Sequence, residues 1–188
     1  MIEVKKFHND PCIPDERMLE LLHSAFKERI EQGINFGCAT YTMEEYKTET
    51  KNAYLFVAYN EKYPVGSITI KVKKRCGLKY GSLKYGATSS NTKRKGIGTM
   101  LLNAIMDFAK AQKLLFIISA TASNAESSVK WHKKNGYIPF LYRKFRERSY
   151  SSIVFLNPIS PIMSVILGVC RLPVLYISKL YISFVNID

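Results

Sequence analysis

Acidic residues are absent between Lys62 and Met106, although Lys71, Lys73, Lys74, Arg75, Lys79, Lys84, Lys93, Arg94 and Lys95 all lie in that stretch. A field of one sign suits a polyanion: a phosphorylated cofactor, a nucleic acid or an anionic membrane surface. A surface that only confers solubility usually mixes both signs. Cysteine is also sparse. Cys12, Cys38, Cys76 and Cys170 are scattered, without C-x-x-C spacing or neighbouring histidines. That argues against a zinc site or a disulfide framework, so no metal is expected and a reducing, cytoplasmic compartment is. The opening MIEVKKFHND lacks an apolar h-region, as expected of a chain that is not secreted. Internal repeats are absent too.

What remains is a chain of 188 residues, 47% apolar and 23% charged, with a formal charge of +13. These values fit one globular domain with an anionic partner.

The periodicities divide the chain. Ile2–Phe7 alternates like a strand. Asp15–Gln32 reads as a helix with Met18, Leu21, Leu22, Ala25, Phe26 and Ile30 on one stripe and Gly33 as its stop. Thr42-Met43-Glu44-Glu45 reads as a capping box opening a second helix. Tyr54–Tyr59 and Val65–Lys74 predict a hairpin across a turn-rich link, and Tyr80–Thr88 a third strand. From Gly96 onward, Ile97, Leu101, Leu102, Ile105, Phe108 and Ala109 share the face of an amphipathic helix. Leu114–Ala120 follows as a buried strand, then a short helix ending at Lys134 with Gly136 as its cap. Tyr137–Arg143 and Ser149–Leu156 close the series. Seven strands and four helices predict an α+β fold with a mixed, largely antiparallel sheet.

Between a strand and the strongest helix lies Lys93-Arg94-Lys95-Gly96-Ile97-Gly98-Thr99. A helix start offers unpaired N–H groups and partial positive charge. Gly96 and Gly98 let the backbone approach phosphate oxygens, and the basic triplet adds full charges. The combination suits a pyrophosphate, although a lone Gly-x-Gly also marks tight helix packing.

Arg94-Lys95-Gly96-Ile97-Gly98 resembles the R/Q-x-x-G-x-G/A signature of the GNAT N-acetyltransferase superfamily. The helix, the strand Leu114–Ala120, Asn124 and Ser128-Val129-Lys130-Trp131-His132-Lys133-Lys134-Asn135-Gly136-Tyr137 follow in that family's order. The resemblance spans about Tyr54 to Leu156. It implies acetyl-CoA as co-substrate and direct acetyl transfer to a primary amine of a small molecule. Lys93, Arg94, Lys95, Gly96, Ile97, Gly98 and Thr99 would hold the pyrophosphate. Gly86, Ala87 and Thr88 would bond the pantetheine arm and face the acetyl carbonyl. Asn124 would reach the cofactor, cap the following helix with Ser123 and Glu126, or do both.

Three positions depart from the family pattern. Lys93 stands where Arg or Gln is usual, so charge is kept and a planar fork lost. Asn124 lies eight residues before His132 rather than seven. His132 occupies the place of a tyrosine that protonates the leaving thiolate. As a catalytic acid it would titrate near neutrality, and as a structural residue it would pack beside Trp131. No carboxylate lies in Tyr80–Thr88 to serve as a base, which leaves Glu28, Glu31, Glu44, Glu45 or a water chain. Covalent catalysis through Cys38 lacks a neighbouring base.

Two other readings stay open. One is a catalytically inactive acyl-CoA sensor. The other is a nucleic-acid module using Lys71–Arg75 with Tyr80 and Tyr85, disfavoured because the loop would then lack a purpose. The acceptor is expected to be an amine, with an anionic amino sugar as one instance, and the protein a monomer or homodimer.

Composition changes after Leu156. Residues 1–157 are expected to form the acyltransferase domain and 158–188 a separable apolar extension. Arg171, Pro173 and Lys179 are expected to interrupt a membrane-spanning helix, leaving a packing element, a dimer surface or a membrane-surface segment.

Overall fold

Among the described residues, seven strands and four α-helices form where those period-2 and period-3.6 patterns lie, and a fifth helix forms in the tail. The structure, a computed structural model, describes residues 1–31, 33–34, 36–92, 95–144 and 150–185, without the side chains of 28 and 180–185. In chain order the elements are β1 (Ile2–His8), α1 (Glu16–Glu31), α2 (Met43–Thr50), β2 (Tyr54–Asn60), β3 (Tyr63–Arg75) and β4 (Leu78–Thr88). They continue with α3 (Ile97–Ala111), β5 (Phe116–Ala122), α4 (Glu126–Lys134), β6 (Ile138–Lys144), β7 (Ser151–Pro158) and α5 (Pro161–Val185). The strands hydrogen-bond in the order β1-β2-β3-β4-β5-β7-β6. β4 and β5 pair in parallel, at Gly81 with Ile117 and Ser82 with Ile118. The β1–β2, β2–β3, β5–β7 and β6–β7 pairs are antiparallel.

The chain forms two compact units, and β3, β4 and α3 run from one into the other. The first comprises Met1–Val72 and Leu83–Phe108. Its core packs Met18 and Leu22 of α1 and Tyr46 of α2 against Leu55, Val57 and Ala87 of the sheet, with Cys38 between. On α1 the stripe holds except at Ile30, which is exposed. The predicted capping box is present: Glu45 N–H donates to Thr42 Oγ1 at 3.2 Å and Thr42 N–H donates to Glu45 Oε2 at 2.7 Å. Within this unit α3 buries Ile97, Leu101, Leu102, Ile105 and Phe108, the face its periodicity marks.

The second unit comprises Lys73–Ser82 and Ala109–Asp188. Leu114, Ile117, Tyr137, Ile153, Phe155 and Leu156 are buried in it. The expected cap on α4 is not there. The helix starts from Ala125 with no side-chain cap, because Ser123 N–H is committed to Ser151 O at 2.7 Å and ties the link to β7. The tail also differs from expectation. It is one 25-residue helix with Pro173 inside it, lying against β6 and β7. A proline removes a single backbone hydrogen bond, and apolar packing on either side carries the helix through.

Candidate functional site

In the first unit, β4 runs from Leu83 to Thr88 and delivers the chain to the loop before α3. Gly66 on β3 decides how close α3 can come. A Cβ there would stand 2.6 Å from Ile97 Cγ2 and 3.1 Å from Leu101 Cδ1. Glycine therefore lets the start of α3 seat directly on the sheet. The loop turns into the helix at Gly96, whose φ of +77° is a left-handed conformation that L side chains rarely adopt. Gly96 O accepts from Thr99 and Met100 N–H, both at 3.0 Å, so the helix begins here, where a helix leaves its first N–H groups without intrahelical partners. Lys95, Gly96 and Thr99 are exposed, Gly98 is half-buried and Ile97 is a core anchor. Lys93 and Arg94 lie outside the described residues. Of the strand end, Gly86 is exposed, Ala87 buried and Thr88 half-buried. The donor set fits a pyrophosphate: backbone N–H groups at a helix start, a glycine turn and a lysine.

Immediately before Gly86 is a cluster that sequence reading missed. Tyr85 has φ +54°, an outlier for a bulky residue. Its hydroxyl donates to Glu49 Oε2 at 2.8 Å, Lys84 Nζ reaches the same oxygen at 3.3 Å, and Tyr41 Oη lies 3.4 Å from Tyr85 Oη. The rings of Tyr41 and Tyr46 meet that of Tyr85 edge-on at 5.9 and 6.4 Å. The Tyr85 hydrogen bond, helped by Lys84 and Lys71, holds the Glu49 carboxyl below its usual range, so it is ionised at neutral pH. Burial and then the hydrogen bonds to Tyr41 and Glu49 push Tyr85 up, so its hydroxyl stays protonated. An ionised carboxylate beside a tyrosine ring is suited to an ammonium group, and Lys84 Nζ takes that place here, 5.5 Å from the Tyr85 ring centroid. Glu49 sits at the end of α2, 36 positions from Tyr85, and no local pattern announces the pair.

The other carboxylates fare differently. Glu45 is occupied by the capping box, Glu31 and Glu44 are exposed, and the Glu28 side chain is outside the description. Cys38 is buried, and burial pushes its thiol up to about 12, so no thiolate is available for covalent chemistry.

In the second unit His132 is only 5% exposed. Its Nδ1 is 2.7 Å from Ser128 O and its Nε2 is 2.8 Å from Ser119 Oγ. A carbonyl can only accept, so Nδ1 carries the proton and the Ser119 hydroxyl donates to Nε2. The ring stacks on Phe155 at 4.6 Å and meets Tyr137 and Trp131 edge-on. Burial lowers its pKa, so the imidazole is neutral at pH 7. Both nitrogens are thus engaged, and proton donation through Nε2 would require Ser119 to release it and the ring to take up a second proton there, which burial opposes. Asn124 is exposed in the turn before α4. Tyr80 stacks on Phe116 at 5.2 Å and Tyr85 is tied to Glu49, so both aromatics of the nucleic-acid reading have internal partners.

Comparison with known proteins places the fold. The family model described as Acetyltransferase (GNAT) family matches residues 16–137. No curated protein sequence matches significantly. Among solved structures, a probable acetyltransferase from Staphylococcus epidermidis ATCC 12228 is similar, with a TM-score of 0.64 and 16% identity over 85% of this chain and 100% of that one. The ribosomal-protein-S18-alanine N-acetyltransferase from Escherichia coli gives 0.60 and 13%, over 85% and 95%. A GNAT family acetyltransferase from Elizabethkingia anophelis with acetyl-CoA bound gives 0.57 and 17%, over 82% and 97%. At these identities the likeness shows the fold.

Proposed function

Since the chain belongs to the acetyltransferase (GNAT) family, whose acyl donor is acetyl-CoA, we propose that it moves an acetyl group to the primary amine of a small molecule that also carries an anionic group. The observation that supports this acceptor class is the Glu49–Tyr85 pair abutting Gly86–Thr88, with Lys84 bonded to Glu49 and Lys71 near enough to perturb it. Glu49 holds the ammonium when Lys84, which bonds it in the free protein, turns to the anion beside Lys71. A nucleotide-linked amino sugar is one molecule with both features.

Each group then has a separable task. Lys95–Thr99, with Lys93 and Arg94, hold the pyrophosphate, and Gly86–Thr88 orient the pantetheine arm. Once the ammonium loses a proton to water, its nitrogen attacks the thioester carbonyl. Backbone N–H groups at Ala87–Thr88 stabilise the oxyanion, and the C–S bond breaks to release CoA thiolate. The attacking nitrogen sheds its remaining extra proton, and the thiolate takes one up, through water. Glu49 acts as an anchor rather than a strong base, because its lowered pKa weakens proton abstraction. Orientation supplies most of the rate. Four free cysteines accord with a reducing, cytoplasmic setting.

Thiol release from acetyl-CoA, screened over amino sugars, polyamines and amino acids, tests the reading. Glu49→Gln is expected to raise KM for the amine about tenfold or more, the loss of one charge-assisted hydrogen bond, while acetyl-CoA affinity by calorimetry is unchanged. An unaltered amine KM would remove Glu49 from the acceptor site. The sensor reading draws on the engaged nitrogens of His132, and its signature is acetyl-CoA binding with no amine eliciting turnover.

A further inference from the structure

α5 is apolar on two sides. Its inner stripe includes Leu167, which is buried, and Ser178, whose Oγ accepts from Tyr142 N–H at 3.1 Å on β6. Its outer stripe is Ile162, Val165, Val169, Leu172, Tyr176 and Ile177, each 65 to 73% exposed. Their spacing of three and four places them on one face, an uninterrupted apolar strip. The window Pro161–Lys179 has a mean hydropathy of 1.7 and is 11% buried. No Asp or Glu occurs between Arg148 and Ile187.

Charge indicates what covers the strip. The second unit carries fifteen Lys and Arg against three Asp and Glu, a net of +12, whereas the first carries thirteen against twelve, a net of +1. Nearly the whole excess thus belongs to the unit that owns α5. A second copy on this face would bring two strongly cationic units together, at a repulsive cost. An anionic lipid surface instead accepts both the apolar strip and the positive field.

We propose that α5 seats the protein on an anionic bilayer, lying along the headgroup–acyl boundary with its outer stripe in the lipid. The helix is about 37 Å long at 1.5 Å per residue, enough to cross a bilayer core. Its attachment along β6 and β7 keeps it beside its own unit rather than through the membrane. Tyr176 suits the boundary, where aromatic rings with polar tips collect.

Full-length protein floated with vesicles tests this independently of acetyl transfer. At low salt, vesicles containing about one third phosphatidylglycerol are expected to carry roughly tenfold more protein than phosphatidylcholine vesicles, and about 0.5 M salt to reduce the difference. The double variant Val169→Glu with Leu172→Glu is expected to lose flotation while keeping its melting temperature and acetyl-CoA binding. Failure to float with anionic vesicles, or equal flotation of the variant, would overturn the proposal. So would a dimer that dissociates in the variant without any vesicle binding, since the occupant would then be a second copy. Alkaline carbonate is expected to strip the protein from vesicles, and retention would overturn the in-plane placement in favour of a span.

Discussion

His132 has a partner on each ring nitrogen, and that pairing fixes what its replacement does. His132→Phe fills the ring's volume but leaves the Ser119 hydroxyl without an acceptor, which costs about 1–3 kcal/mol. Removing both partners is gentler than removing one, so Ser119→Ala combined with His132→Phe is expected to melt above the single His132→Phe variant. Turnover of His132→Phe is expected to stay within about tenfold of wild type if the residue packs, and to fall about 10²-fold or more if it is the thiolate's acid. A pH signature accompanies this. The folded pKa lies below the ordinary value of 6.5, so below that pH the unfolded chain binds a proton that the folded chain refuses. The stability owed to neutral His132 is complete above pH 6.5 and is lost as the pH falls through the folded value. The difference in melting temperature between wild type and His132→Gln is therefore expected to shrink on acidification. A difference independent of pH would show that the imidazole does not titrate in this way.

Among the elements, α3 was legible because its signals are local: two glycines, a basic run and a period of 3.6. Two substitutions separate its jobs. Gly98→Glu puts a carboxylate among the phosphate donors and is expected to abolish acetyl-CoA binding in a folded protein, measured by calorimetry. Gly66→Ala acts from β3. Its Cβ would meet Ile97 at 2.6 Å, and such overpacking typically costs 1–3 kcal/mol. It is expected to lower the melting temperature and weaken acetyl-CoA binding together, because the start of α3 is pushed off its seat. The capping box at Thr42–Glu45 was legible for the same local reason. Glu49 was not, because its meaning comes from Tyr85, a contact that exists only after the sheet forms. Pro173 pointed the wrong way, since an isolated proline reads as a break while α5 continues past it. Asn124 reads as a cap in sequence, yet α4 starts one residue later because Ser123 is claimed by β7.

Over the whole molecule, the compositional break after Leu156 does not coincide with a break in packing. β6 ends the strand order, so it is an edge, and an edge strand presents unpaired backbone groups. α5 covers part of that edge through Tyr142 N–H to Ser178 Oγ, and Lys179 Nζ lies 5.5 Å above the Tyr142 ring. A chain ending at Ser160 loses these contacts and the burial of Leu167, the latter worth about 1.5–3 kcal/mol. None of them belongs to the first unit, which holds Gly86–Thr88, the loop up to Thr99 and Glu49. The truncated chain is therefore expected to melt several degrees lower, to retain acetyl-CoA affinity by calorimetry, and to lose flotation with anionic vesicles. Insolubility or non-cooperative melting would instead make α5 part of the second unit's core, with its outer strip exposed by structural need rather than by a lipid partner.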